Sequence, residues 1–157
     1  MKKELNQCLA YHIIQNCEQW IGSSSLSHLS MFLHGASART SITNQVIPLW
    51  QIYGPLEYKD FYLPIVKLTG HPDLTIKWAT ALNFLYFSEK EALAQLKSRI
   101  ESYCQTNILD DTIKNSPLWA GKDFLTHFRF MSKRPGMYGI HKGWNLRRYL
   151  HGMQDGG

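Results

Sequence analysis

The chain has 157 residues, of which 44% are hydrophobic, 13% aromatic and 18% charged, with a net charge of +5. That length and apolar content suit one globular domain spanning 1–157 and argue against intrinsic disorder. No apolar run reaches the roughly 18 to 20 residues of a membrane span, and the polar start lacks the apolar core of a secretion signal, so a cytoplasmic, most simply bacterial, protein with no membrane partner is expected.

Residues 3–21 predict an amphipathic helix, because Leu5, Leu9, Ile13, Cys17 and Trp20 recur at the spacing that lines one helical face. Gly22 and the serines after it end that helix and offer N-caps for the next. Residues 26–38 predict a second helix with Leu26, Leu29, Met31 and Leu33 inward. Pro48, Gly54 and Pro55 interrupt residues 40–55, which reads as loop around a short helix near Val46 to Tyr53. Residues 56–69 look helical with Pro64 as a local strain, since an internal proline removes a hydrogen bond. Gly70 to Asp73 reads as a turn with Asp73 as an N-cap. From Leu74 to Phe87 the pattern favours helix, although the alternation Leu74, Ile76, Trp78 also permits a short strand.

Within this region the strings Leu63-Pro-Ile-Val-Lys-Leu, His71-Pro-Asp and Lys77-Trp-Ala-Thr-Ala-Leu resemble one helix pair of the HEAT type over about 40 residues, a single repeat where a solenoid needs several. Ser88-Glu89-Lys90-Glu91 is a capping box that opens a helix whose Leu93, Leu96, Ile100 and Tyr103 share a face. Asn107, Asp110 and Asp111 mark a connection. A helix is expected from Pro117 to about Met131, ended by Arg134-Pro135-Gly136, and a last one from Trp144 to His151, closed by Gly152. The fold class expected is all-α, a compact bundle of about six helices with one HEAT-like hairpin. An α+β fold with a small sheet is the alternative.

One internal echo stands out. Leu29 to Gly35 and Leu146 to Gly152 share the pattern L-x-x-[FY]-L-H-G, read here as two short helices that each stop at glycine.

The chemistry-bearing patterns are sparse. Cys8, Cys17 and Cys104 form no CxxC pair and are expected to be buried thiols. Glu4, Cys8 and His12 fall on one stripe of the predicted first helix, but three ligands there need a fourth from elsewhere to hold a metal, and no second cluster has ligand spacing. No nucleophile elbow, phosphate loop or dinucleotide fingerprint occurs. A non-enzyme without metal or cofactor is therefore expected.

The charge is more informative. Residues 1–121 carry ten Lys/Arg and ten Asp/Glu, so the excess lies in Lys122, Arg129, Lys133, Arg134, Lys142, Arg147 and Arg148 against Asp123 and Asp155. Such asymmetry suits an acidic partner. Phe128, Phe130, Tyr138, Trp144 and Tyr149 interleave with these cations, which is one way to contact phosphates and stack bases, although no nucleic-acid reading module frames them.

Arg134-Pro135-Gly136-Met137-Tyr138-Gly139 is the most distinctive string. It is similar to the R-P-G-M-Y-I-G element of type II topoisomerase ATPase domains, whose Asn, Asp and Gly nucleotide motifs do not follow here. Together with Leu146 to Gly152 it more closely resembles the ending of small bacterial immunity proteins of contact-dependent or polymorphic toxin systems, in which an R-P-x-M-Y-x-G string precedes an L-x-x-[FY]-L-x-G helix. One position departs, because Gly139 follows Tyr138 directly. The resemblance implies a protein that blocks the active site of a cognate toxin C-terminal domain. The residues expected at that contact are Arg134, Tyr138, Lys142, Trp144, Arg147, Arg148 and Tyr149, with Asp110 and Asp111 as the acidic candidates. A small nucleic-acid-binding protein using the same basic aromatic segment is the rival expectation.

Overall fold

The computed structural model describes residues 3–43, 45–70, 76–112, 114, 124–133, 135 and 142–155. The helices are α1 (Lys3–Asn6), α2 (Leu9–Gln15), α3 (Cys17–Ile21), α4 (Leu26–Ile42) and α5 (Trp50–Tyr53), followed by a 3-10 turn, η1 (Gly54–Glu57). Next come α6 (Lys59–Leu68), α7 (Trp78–Leu85), α8 (Glu89–Thr106), α9 (Phe124–Lys133) and α10 (Gly143–Asp155). Among the described residues the fold is all-α, and the β pairing is one isolated bridge, Pro48 with Lys114. Ile76 and Lys77 lead into α7 without forming a strand. The turn at 71–75 that would complete the HEAT-like hairpin lies outside the described residues; α6 and α7 on either side of it pack together. No helix among the described residues is long and apolar enough to cross a membrane.

The first predicted helix is broken twice. Cys8 adopts an extended backbone and Asn16 a non-helical one, so residues 3–21 fold as α1, α2 and α3. Asparagine is a weak helix former, in keeping with the second break, although its side chain makes no cap hydrogen bond there. The first has a tertiary cause. Cys8 turns fully inward, and its Sγ sits where a Cβ on Gly54 would be only 2.9 Å away. Gly54 itself has φ +58°, a conformation that suits glycine. The expected stripe survives in part: Leu5, Ile13 and Cys17 are buried, while Leu9 and Trp20 are only half-buried and Tyr11, Ile14 and Ile21 join the core.

The N-cap half of the expected capping box of α8 forms, with Ser88 Oγ accepting from the Glu91 amide at 3.1 Å. Leu93, Leu96 and Ile100 are buried and Tyr103 half-buried. Glu89, beside that cap, also accepts from the Leu26 amide at 3.3 Å and so serves the first turn of α4. Pro64 is tolerated on the exposed side of α6. All three cysteines are free and buried.

α4 organises the molecule. It runs four residues past the predicted end, and apolar side chains surround it: Leu26, Leu29, Phe32, Leu33 and Ala36 enter the main core, while Met31, Ala38 and Ile42 enter a second cluster with Met131, Tyr149 and Met153. A helix apolar all round is one buried on both sides. The main core is completed by α2, α3, α5, η1, α6, α7 and α8, and the second cluster by α9 and α10.

The partner of α4 on its second side is α10, and both carry the L-x-x-[FY]-L-H-G pattern. Neither glycine ends its helix, contrary to the sequence expectation: Gly35 lies mid-way along α4 and Gly152 within α10. They are the crossing point. A Cβ on Gly35 would overlap the Tyr149 carbonyl oxygen, lying 2.8 Å from its carbon and 3.0 Å from the Met153 nitrogen. A Cβ on Gly152 would overlap the Phe32 carbonyl oxygen, 2.8 Å from its carbon and 3.1 Å from the Ala36 nitrogen. The two motifs thus meet reciprocally, each glycine against the carbonyl three residues before the other. The α-hydrogens that replace the side chains face those carbonyls, a weak attraction common where helices touch.

Arg39 of α4 ties down the end of α10, donating through one terminal nitrogen to the carbonyls of Met153 (3.1 Å) and Gln154 (2.6 Å). These carbonyls have no intrahelical donor, and a cation suits the negative end of the helix. Replacing Arg39 with alanine is expected to lower stability by about 1–2 kcal/mol and to speed amide exchange in the last turn of α10. Denaturant unfolding and hydrogen exchange would check it; unchanged exchange there would show that the contact holds nothing.

Candidate functional site

The sequence-derived site residues divide sharply by location. Arg134 and Tyr138 lie outside the described residues. Asp110 and Asp111 belong to the loop after α8. Asp111 Oδ1 accepts from the Trp50 indole at 2.6 Å, and Asp110 accepts from the Thr112 amide at 2.8 Å. Those Thr112 hydrogen bonds hold the Asp110 carboxyl below the usual carboxylate range. The Asp110 backbone also exchanges hydrogen bonds with the Tyr58 hydroxyl. The acidic pair therefore organises a loop against α5 and Tyr58, whereas Trp144, Arg148 and Tyr149 pack on α4.

On α10 the aromatic residues point inward. Tyr149 is 3% exposed, and its hydroxyl pairs with Nε2 of the buried His127 at 2.9 Å. Trp144 stacks on His28 of α4, ring centres 4.4 Å apart and planes within 11°. Arg148 Nε donates to His28 Nδ1 at 2.6 Å, and a second guanidinium nitrogen approaches His151 Nδ1 at 3.4 Å. For that bond His28 must present a lone pair. Its pKa is lowered, first by burial and then by the Arg148 charge, which favours the neutral ring that this bond requires. His151 in turn meets Phe32 edge-on at 4.9 Å. Trp144, Arg148 and Tyr149 thus bind α10 to the body. Lys142 and Arg147 remain exposed.

What the sequence reading missed is apolar. Leu125 and Phe128 on α9 and Leu150 on α10 are exposed at 57%, 41% and 38%. With His127, Met131 and Met153 they line one open groove of about 340 Å³ between the two helices. Leu125 and Phe128 are three residues apart, so they stand on one face of α9. Arg129 follows Phe128, and Arg147 lies one turn before Leu150 on the α10 surface. Lys133 closes α9, and all three cations are exposed. The arrangement is an apolar trough with positive charge on both of its helices. Phe128 is one of the aromatics expected to interleave with the cations, whereas Leu125 and Leu150, plain aliphatic residues, carry no such signal in the sequence.

Glu4, Cys8 and His12, which the sequence places on one helical stripe, do not share a continuous helix. The break at Cys8 separates the residues, burying the thiol, whose pKa burial pushes up to about 12, and leaving His12 exposed against the Asn6 carbonyl. No group of three or more His, Cys, Asp or Glu is placed to hold a metal among the described residues.

Comparison of the chain with family models, with curated proteins and with solved structures gives no match.

Proposed function

We propose that this chain is a non-enzymatic binding protein of the toxin-immunity type, acting in the cytoplasm, and that it neutralises a cognate toxin domain by covering its active site with the α9–α10 face. The observation that carries the reading is the open trough of Leu125, Phe128, Met131, Leu150 and Met153 with Arg129, Lys133 and Arg147 on the same two helices. An apolar centre edged by charge is the usual build of a protein–protein contact, where a few buried anchors supply most of the affinity and the rim supplies orientation and rate. The resemblance of the Arg134 to Gly152 region to immunity-protein endings points to the same part of the molecule.

The nucleic-acid reading is weaker on this geometry. Base stacking needs exposed aromatic faces; Tyr149 is buried and Trp144 is covered by His28, which leaves Phe128, at 41% exposure, to offer one. Arg148 is already engaged with His28.

Sequencing the neighbouring gene for a toxin C-terminal domain, and co-expressing any such domain with this chain, tests the proposal. Wild-type protein is expected to restore growth and bind the toxin, while Leu150→Glu loses at least about 2 kcal/mol of binding, the scale of an interface anchor. Arg147→Glu is expected chiefly to slow association and to reduce its salt dependence. Circular dichroism would establish that both variants fold. Recovery of RNA or DNA, with no tight protein partner and with affinity falling steeply in salt, would overturn the reading.

A further inference from the structure

On the opposite side of α4 from the α10 seam, Ser30 and His34 face a second cavity. They stand one helical turn apart, and the cavity they help to line holds about 170 Å³. Its other walls come from Leu56 and Glu57 of η1, Tyr62 of α6, and Ile76, Lys77 and Trp78 at the entry to α7. The lining is graded. Leu56 and Trp78 are buried, Ser30, His34, Tyr62 and Ile76 are half-buried, and Glu57 and Lys77 are exposed. The chamber is therefore apolar and aromatic inside, and carries one carboxylate and one ammonium at its mouth.

Those two charges interact without pairing: the ion pairs within 4 Å among the described residues lie elsewhere, at Lys90–Glu18 and Lys97–Glu101. Their mutual influence is nonetheless felt. Desolvation at the mouth pushes the Glu57 carboxyl up, and Lys77 pulls it back down. His34 Nδ1 is held by the Tyr53 hydroxyl at 3.0 Å, which fixes the ring from behind.

An empty chamber of this size in a protein core accepts a body about as large as benzene. At its mouth, opposite charges on separate elements complement a head group that is both anionic and cationic. We propose that this cavity is a binding site for a free α-amino acid with a ring-sized or branched apolar side chain. The side chain would enter between Leu56, Trp78 and Tyr62, the α-carboxylate would meet Lys77, and the α-ammonium would meet Glu57. The site uses none of the α9–α10 residues and stands independently of the toxin-binding reading.

Titration of the protein with L-phenylalanine, followed by Trp78 fluorescence and by NMR shifts of His34 and Ile76, tests it. The expected result is saturable binding, weakened about tenfold by Lys77→Met and similarly by Glu57→Gln, the weight of one charge-assisted hydrogen bond each. Phenylpropionate, lacking the amine, and phenethylamine, lacking the carboxylate, are each expected to bind about tenfold more weakly than the amino acid. Ser30→Leu, which fills the chamber, is expected to abolish the response, with unfolding curves showing that the variant is folded. Absence of any shift with L-phenylalanine, affinity unchanged in the Lys77 and Glu57 variants, or equal binding of the single-charge analogues would each overturn the assignment.

Discussion

Replacing Gly35 with alanine is expected to destabilise the protein by about 3 kcal/mol, and Gly152→Ala by a similar amount, although helix propensity alone points the other way. Each glycine lies within a helix, where alanine is favoured by about 1 kcal/mol. The crossing reverses the sign. The new methyl would overlap a backbone carbonyl of the facing helix, which cannot rotate aside as a side chain does, so α4 and α10 must part. Overpacking of a fixed core costs about 1–3 kcal/mol, and here the Trp144–His28, Arg148–His28 and Arg39 contacts are stretched together with it. Because both clashes sit at one crossing, the separation forced by one substitution relieves the other. The double variant is therefore expected to cost distinctly less than the two singles combined. Gly143→Ala, at the first residue of α10 with nothing within 4 Å of the added carbon, is the control and should be neutral or slightly stabilising. Denaturant unfolding of the four variants checks the set. A Gly35→Ala protein as stable as wild type would mean that the two helices are not in backbone contact.

The same crossing shows where the sequence was readable and where it misled. The duplicated L-x-x-[FY]-L-H-G string is visible without any structure, and so is the helical character of both copies. Read locally, glycine after a helical run is a stop signal. What overrode that rule is the other copy, 117 positions away, whose backbone needs the space. The run Gly35-Ala36-Ser37-Ala38 hinted at this, because small residues continuing a helix are what close packing of a second helix requires. The opening 19 residues went wrong for a related reason. Their periodicity is sound for one helix, but Cys8 breaks it to fill the space beside Gly54, and no spacing rule contains that partner. The α8 start at Ser88 was legible because the N-cap bond between Ser88 and Glu91 is closed within four residues of chain. Site residues followed the same division. Arg147 and Lys142 are exposed as their charge suggests, whereas Trp144 and Tyr149 carry polar atoms that disguise residues of the α4–α10 seam, and the apolar trough depends on α9 and α10 lying side by side.

Acidification is expected to remove stability from this fold between pH 6.5 and about 4, with His34 the largest contributor among the described histidines. His34 has its pKa lowered from 6.5 to about 4, chiefly by burial and further by the charge of Lys77. Within that window the unfolded chain takes up a proton at this position and the folded chain does not. Stability therefore rises with pH across the window: the contribution is fully present above 6.5, is lost as pH falls, and levels off below about 4. A shift of this size corresponds to roughly 3 kcal/mol. His28 and His127, both lowered by burial, act in the same direction, while Glu57, whose carboxyl is raised at the mouth of the same cavity, acts in the opposite one. His34→Asn isolates the effect, since an amide oxygen can still accept from the Tyr53 hydroxyl that now meets Nδ1 at 3.0 Å. The variant is expected to show a much flatter dependence of unfolding free energy on pH in that window, with Tyr53 still paired. An NMR titration gives the direct measure, with the His34 ring expected to stay neutral well below pH 6.5. If His34 titrated at its ordinary value, or if His34→Asn kept the full wild-type slope, the acid sensitivity would have to come from other groups, and the ring would not be held neutral by the wall that buries it.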